Sequence, residues 1–193
     1  MGELTIQIDT REKAKAIKKI IKHFDEQGIK WISTKCYVGD YVSLENSRLT
    51  VDRKQNLTEV YGNVINDHVR FKAELVRAKE LGIQIVILVE HGGNINCLED
   101  VREWDNPRRF LYKKNTKKLL IAKGLVEKHD IFDCEELYNI CKVNHIKVFK
   151  PPVKSEQLYT AMLTMSERYG SIWNFCNKDE TGKRIVEILG ERK

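Results

Sequence analysis

Two short apolar runs decide the fold: Tyr37-Val-Gly-Asp-Tyr-Val42 and Thr50-Val-Asp-Arg-Lys54. Turn-forming residues at 45–48 separate them, so we predict that the two runs pair as a β-hairpin. Successive side chains of a strand point to opposite faces, which places Asp52 and Lys54 on the same face. A carboxylate and an amine therefore lie side by side on the second strand.

The hairpin loop decides whether Asp40 joins this pair. A loop with an odd number of residues, such as 44–48, brings Asp40 directly opposite Asp52, whereas an even loop separates them onto opposite faces. Two converging carboxylates supply the oxygen ligands that Mg²⁺ prefers. A lysine beside the metal can orient or deprotonate an attacking water and offset charge on a phosphate. The alternative is a solvated hairpin edge that carries ordinary surface charges.

The composition is that of a single folded domain with a basic excess. The 193 residues are 41% hydrophobic and 32% charged, with a formal net charge of +6. A basic excess suits a polyanionic partner such as nucleic acid. The cysteines form no CxxC pair, which indicates a reducing compartment. No run approaches the roughly 18 apolar residues of a membrane span, and the N-terminus has no apolar signal core. We expect a soluble, cytoplasmic protein.

Hydrophobic periodicity predicts alternating strands and helices around the hairpin. Strands are predicted at 4–8, 31–35, 83–89, 145–149 and 172–176, and helices between Asp9 and Gly28 and at 57–81, 133–142, 155–168 and 180–189. With the hairpin, the strand at 31–35 is expected to form a three-stranded meander. His68 falls on the buried stripe of the long helix, and Glu74 on an adjoining face as a surface charge. This order predicts an α/β sandwich of three layers, in which helices flank a central mixed sheet.

Residues 94–132 depart from this pattern and read as a basic insertion. Lysine and arginine recur between Arg108 and Lys128 against a single acid, Glu127, at positions 108, 109, 113, 114, 117, 118, 123 and 128. Such a cluster can release counterions from phosphates, and nearby aromatic rings can stack on exposed bases. Those rings belong to Trp104, Phe110 and Tyr112. The alternative is a solvated helical insertion whose aromatic residues belong to the core.

Three motifs in this order resemble the ERCC4 nuclease domain of XPF/MUS81-type endonucleases, which have a restriction-endonuclease-like fold. Ile8-Asp-Thr-Arg-Glu12 resembles that family's DxRE, Val38-Gly-Asp-Tyr41 its GDY, and Val51-Asp-Arg-Lys54 its ERK. The resemblance covers residues 4–91 well and 145–170 loosely. Compact chains of this kind are similar to phage and prophage ERCC4-domain proteins, which would act in the host cytoplasm.

The resemblance implies a metal-dependent DNA endonuclease, acting on branched, flap or junction DNA in repair or recombination. Asp40 and Asp52 would hold Mg²⁺ or Mn²⁺, and Lys54 would address the attacking water. Asp9 and Glu12 would line the site and support a second ion, with Asp9 as a metal ligand. Two further sets would serve the substrate. Arg11 and Arg53 would contact phosphate or fix the carboxylates. Separately from the resemblance, the charge cluster of the insertion predicts that it grips DNA through Lys113, Lys114, Lys117 and Lys118.

Some features depart from the family pattern. Asp52 stands where the family has glutamate, which draws a ligand back by about 1.5 Å, one carbon–carbon bond. Thr58 occupies the position of a family aspartate, with Glu59 adjacent. We expect no helix-hairpin-helix module within 1–193, a possible homodimer, and no nucleotide cofactor, because Thr181-Gly-Lys183 lacks a glycine-rich phosphate loop. The competing hypothesis is a catalytically impaired DNA-binding module on the same fold.

Overall fold

A six-stranded mixed sheet forms the centre of the computed structural model, which describes residues 4–190. Its strands lie in the order β2-β1-β3-β4-β5-β6. They are β1 (Thr5–Ile8), β2 (Lys30–Ser33), β3 (Tyr41–Ser43), β4 (Leu49–Lys54), β5 (Gln84–Glu90) and β6 (Ile172–Cys176). The β1–β3 and β3–β4 pairs are antiparallel, and the other pairs are parallel.

Helices cover both faces of the sheet, and this confirms the predicted α/β sandwich. The helices are α1 (Ala14–Glu26), α2 (Leu57–Tyr61), α3 (His68–Glu80), α4 (Pro107–Ala122), α5 (Cys134–Val143), α6 (Ser155–Tyr169) and α7 (Thr181–Gly190). One hydrophobic layer joins α1 and α7 to one face of the sheet, around Phe24 and Leu88. The other joins α2, α3 and α6 to the opposite face, around Leu75 and Ile87. Among the described helices, none is long and apolar enough to cross a membrane.

The predicted meander is wrong, because β1 lies between β2 and β3. Ile8 pairs in parallel with Ser33 on one side and antiparallel with Tyr41 on the other. Sequence proximity favoured direct pairing of β2 with β3, but the intervening turn instead carries the chain across β1. The β2 strand is thereby left as an edge with four exposed residues.

The predicted single helix at 57–81 is also wrong. A π-helical turn, Gly62–Asn66, follows α2, and the chain bends at Asp67 before α3 begins at His68. His68 is therefore exposed instead of buried. The buried residues of α3 are Phe71, Leu75 and Ala78, and His68 precedes them in its first turn.

The predicted strand at 145–149 is absent, because His145 turns the chain with φ of 55° and residues 147–153 extend along α4 without a ladder partner. The preceding pair of helices, α4 and α5, has a small core of its own around Leu120, Leu137 and Cys141. The predicted capping box of α5 is present, since Asp133 and Glu136 bond each other's backbone N–H groups. We refer to residues 107–153 as the helical lobe.

Candidate active site

Three aspartates form a row across the adjacent strands β1, β3 and β4. Tyr41 pairs with Val51 and with Ile8, so continuing the register by one residue places Asp40 opposite both Asp52 and Asp9. The backbone N–H of Asp9 donates to the carbonyl of Asp40 at 2.8 Å, which extends the ladder to the row. The hairpin thus has the odd register, with its loop at 44–48, and the carboxylates of Asp40 and Asp52 share a face.

Gly39 sets the position of Asp40. Its φ is +70°, and a Cβ there would lie 2.2 Å from Oγ1 of Thr50. Only glycine combines that backbone conformation with such close approach. The Gly39 N–H donates to Oε1 of Glu74 at 3.1 Å, so Glu74 supports the site instead of being an ordinary surface charge. Sequence reasoning missed this role because α3 brings Glu74 to the hairpin only in the folded chain.

Asp52 and Lys54 form a buried ion pair with a 2.6 Å separation between Oδ1 and Nζ. The second oxygen of Asp52, Oδ2, is buried and has no hydrogen-bond partner. Burial alone would lower the pKa of Lys54, but the negative charges of Asp52 and Asp40 have the larger effect. The pKa of Lys54 is therefore raised above its ordinary value. Burial and the charge of Asp52 raise the pKa of Asp40 well above its usual range. A second negative charge at Asp40, beside the Asp52–Lys54 pair, is therefore unfavourable unless a further cation joins the site.

Asp9 is occupied by bonds within the protein. Its Oδ1 accepts from the backbone N–H and Nε of Arg11, and its Oδ2 accepts from Nη2 of Arg11 and the N–H of Cys36. Burial raises the pKa of Asp9, but these bonds outweigh it and lower the pKa overall. Arg11 thus fixes a carboxylate in this structure, and its side chain is 60% exposed at the rim of the site.

Arg53 points to the opposite face of β4 and does not reach solvent. Its guanidinium is 1% exposed and donates to Glu12 at 2.8 Å and to Glu90 at 2.6 Å. Of the two predicted roles of Arg53, contact with phosphate or fixing of carboxylates, the second describes its contacts in this structure. Glu12 also accepts from the Tyr41 hydroxyl, and Glu90 from Thr181. Glu90 was missed because it ends an apolar strand without a motif of its own.

The donor set fits a divalent cation that takes two protein carboxylates. Asp52 Oδ2 is an unsatisfied buried anionic oxygen, and Asp40 stands opposite it with only Oδ2 engaged, by the Arg53 N–H at 2.9 Å. Mg²⁺ commonly uses one or two carboxylates and completes its shell with water and phosphate oxygens. Within residues 4–190, no three His, Cys, Asp or Glu side chains form a metal-holding group by themselves. Asp40 and Asp52 are therefore the residues that could hold the ion.

Some basic residues of α4 bond to other parts of the protein, and others are exposed to solvent. Lys117 donates to the carbonyls of Lys128 and Asp130 at 2.8 and 2.5 Å, and Arg109 pairs with Glu135. Lys114 and Lys118 are exposed, and Lys113 is half-buried. Among the aromatic residues, Trp104 is buried in the core and cannot stack on a base, Tyr112 is half-buried, and Phe110 is exposed.

Comparison with known proteins identifies the fold. No family model and no curated protein matches the sequence. Among solved structures, XPF from Aeropyrum pernix aligns over 96% of this chain and 63% of its own, with a TM-score of 0.55 and 16% identity. The chain has the XPF nuclease fold. XPF from the same organism in complex with DNA aligns over 97% of this chain and 64% of its own, with a TM-score of 0.55 and 15% identity. The chain thus covers less than two thirds of either XPF chain.

Proposed function

We propose that this protein is a divalent-metal-dependent DNA endonuclease that hydrolyses phosphodiester bonds in branched, flap or junction DNA. The observation that carries the proposal is the meeting of Asp40 and Asp52 across β3 and β4, with an unpartnered buried oxygen on Asp52 and Lys54 beside it. The XPF fold supports it, and one XPF structure of that fold is a complex with DNA.

Asp40 and Asp52 would hold Mg²⁺ or Mn²⁺, which supplies Lewis-acid stabilisation of the phosphate and a more acidic water. The raised pKa of Lys54 keeps its amine protonated at neutral pH. Lys54 therefore acts as a cation that orients the water and offsets charge on the phosphate, and not as the base. The water oxygen attacks phosphorus while the opposite P–O bond breaks. Solvent accepts a proton from the attacking water and gives one to the leaving oxygen. Arg53, Glu12 and Glu90 keep the strand in place behind the site.

A second function, DNA binding without cleavage, is favoured by specific contacts. Lys54 is bonded to Asp52 at 2.6 Å, and Asp9 is saturated by Arg11 and Cys36, so fewer groups are free than a two-metal site requires. The shorter side chain of Asp52 and the presence of Thr58 point in the same direction. On this hypothesis, the protein keeps the arrangement of the site and binds DNA, but it does not hydrolyse the phosphodiester bond.

One assay separates these functions. Labelled duplex, flap and four-way junction DNA are incubated with the protein in Mg²⁺, Mn²⁺ or EDTA. Metal-dependent cleavage that is lost in Asp40→Asn and Lys54→Met, while DNA binding persists, supports the endonuclease. The exposed Asp105→Asn is a matched control that should cleave normally. Binding without cleavage in either metal supports the inactive module. Equal cleavage of all three DNAs removes the proposed structure selectivity, and sedimentation in the same buffers tests the predicted homodimer.

A further inference from the structure

A groove in the helical lobe has no part in the site described above. The π-helical turn, α4 and the extended segment 147–153 enclose it, and its volume is about 1190 Å³. Its floor is apolar and aromatic, with Tyr61, Leu111 and Tyr112 among the lining residues, and Phe149 lies at its edge. The aromatic content and open shape suit a flat ligand more than a compact one.

Phe149 is the most conspicuous residue of this groove because its side chain is 92% exposed. The backbone that carries it is nevertheless held in place by side chains. The Tyr112 hydroxyl donates to the Phe149 carbonyl at 3.0 Å, and Arg109 Nη1 donates to the Pro152 carbonyl at 2.6 Å. Asn106 Nδ2 donates to the Val153 carbonyl at 3.1 Å. A phenyl ring on a fixed backbone keeps an open face towards solvent, on which a flat ligand can stack without moving the chain.

The charge of the groove is of one sign. Arg108, Lys147 and Lys150 are exposed and line it, and no aspartate or glutamate is among its lining residues. The guanidinium of Arg108 lies 5.1 Å from the centre of the Tyr61 ring, which presents both a cation and an aromatic face on the same wall. Cations beside open rings are the combination that single-stranded nucleic acids require, since phosphates and unstacked bases are bound together.

The groove also lies near the proposed cleavage site. Tyr61 lines the groove and follows Lys54 by one short linker and the helix α2. Three chain steps and four helical residues span at most about 17 Å between these Cα atoms. At a rise of about 3.4 Å per nucleotide, that distance is about five nucleotides along one strand.

We propose that this groove binds a single-stranded segment of nucleic acid, with Phe149 stacked on a base and Arg108, Lys147 and Lys150 on the flanking phosphates. The inference extends the proposed function by giving a branched substrate a site for its unpaired arm. An apolar protein partner fits the exposed Phe149 less well, because it leaves the three cations without counter-charges. A duplex also fits less well, because its bases are already stacked on each other.

Binding of a fluorescein-labelled oligothymidine, followed by anisotropy in EDTA, tests the stacking contact. Phe149→Ala is expected to weaken binding about fivefold or more, as expected for loss of one base–aromatic contact, and Phe149→Trp to preserve it. Ile131→Ala is the matched control, since Ile131 is 88% exposed in the same lobe and lies outside the groove. Duplex binding should change little in Phe149→Ala. Equal losses on strand and duplex, or no loss at all, overturn the proposal.

The salt dependence of the same binding tests the phosphate contacts. Lys147→Ala with Lys150→Ala should lower the slope of log affinity against log salt by about 1.4, because each lost contact to a single strand accounts for about 0.7. Lys15→Ala with Lys18→Ala removes the same charge from the exposed side of α1 and should leave the slope unchanged. An unchanged slope in the first pair overturns the phosphate contacts.

Two outcomes separate this inference from the proposed nuclease. The binding assay contains no metal, so it does not depend on cleavage. If the protein binds the single strand through Phe149 but cleaves no DNA, the groove proposal is supported and the endonuclease proposal is overturned. If the protein cleaves DNA and both groove variants bind the single strand as tightly as the parent, the endonuclease proposal is supported and the groove proposal is overturned. A change of sedimentation mass in Phe149→Ala would identify the groove as a contact between copies and overturn the proposal.

Discussion

The backbone N–H of Arg53 donates a hydrogen bond to Oδ2 of Asp40 at 2.9 Å. The same residue sends its guanidinium to the other face of β4, where it meets Glu12 and Glu90. The peptide between Asp52 and Lys54 therefore orients the opposite carboxylate, while the Arg53 side chain anchors that peptide from behind. Arg53 thus links the two faces of β4. A substitution of Glu12 or Glu90 behind the strand is expected to alter the position of the Asp40 carboxylate in front of it.

Asp40→Asn is expected to stabilise the metal-free protein as pH rises. Burial and Asp52 raise the pKa of Asp40 in the folded state, so the folded protein holds this proton more tightly than the unfolded chain. That contribution to stability is full below the ordinary aspartate pKa of about 4 and is lost as pH rises towards the folded-state pKa. A tenfold difference in proton affinity between the folded and unfolded states corresponds to about 1.4 kcal/mol. Thermal unfolding in EDTA should show a gap between variant and parent that widens as pH rises above about 4. A constant gap would contradict it.

Lys54→Met is expected to destabilise the fold by about 3–5 kcal/mol, because it leaves the buried Asp52 carboxylate without its cation. Adding Asp52→Asn should recover most of that loss, since the pair is then replaced by neutral groups. Urea unfolding of the single and double variants measures the difference. If both variants are equally unstable, the loss comes from packing against Phe71 and not from the uncompensated charge.

Gly39→Ala is expected to cost about 3 kcal/mol or more, since positive φ and crowding act together. The added methyl group would meet Thr50 and the Val51 carbonyl. Gly28→Ala is the matched control, with φ of +65° and no atom within 4 Å of the added Cβ. It should cost only about 1–2 kcal/mol. Denaturant midpoints measure both, and equal losses would show that Thr50 yields to the methyl group.

Glu90→Gln is expected to lower stability by about 3 kcal/mol, because a buried arginine loses one of its two charged partners. It should also reduce metal-dependent cleavage, although Glu90 lies behind β4, since the Arg53 peptide that holds Asp40 is then less fixed. Thr181→Val removes only a hydroxyl from Glu90 and should cost about 1 kcal/mol. Cleavage is compared at a temperature where all three proteins are folded by circular dichroism. Full activity in Glu90→Gln would exclude a positioning role.

The lysines of α4 should divide by function. Lys114→Ala with Lys118→Ala is expected to reduce the salt slope of duplex binding by about 1.8, because each phosphate contact to duplex DNA accounts for about 0.9. Lys117→Ala should leave the slope unchanged and lower stability by about 1–2 kcal/mol, because two carbonyls lose their donor. Anisotropy titrations and urea unfolding measure the two effects. A reduced slope in Lys117→Ala would show that its carbonyl contacts give way to DNA.

Local patterns predicted much of this fold because they depend on neighbours in sequence. The hairpin followed from turn residues and strand alternation, although its odd or even register stayed open until the structure gave it, and the capping box of Asp133 followed from a spacing of three. The order of strands did not follow, since it depends on which edges meet after the chain collapses. The break at Asp67 was also missed, because the apolar residues on both sides of it keep a helical spacing.

The partners of charged residues could not be read from the sequence. Asp9 and Arg11 lie two apart and bond each other, but Glu74, Glu90 and Arg53 find their contacts through pairings that join distant segments. A motif indicates which side chains share a face. It does not indicate which of them are already neutralised by another part of the chain.

The interior position of β1 has a practical consequence for fragments of this protein. Ile6 and Ile8 lie in the middle of the sheet, with β2 on one side and β3 on the other. A truncation that removes only β1 would leave the facing edges of β2 and β3 without a hydrogen-bonding partner. Such open edges recruit strands from other molecules. Shortened versions of the chain that start between β1 and α1, and so keep β2, should therefore precipitate, while those that begin ahead of β1 should remain dispersed.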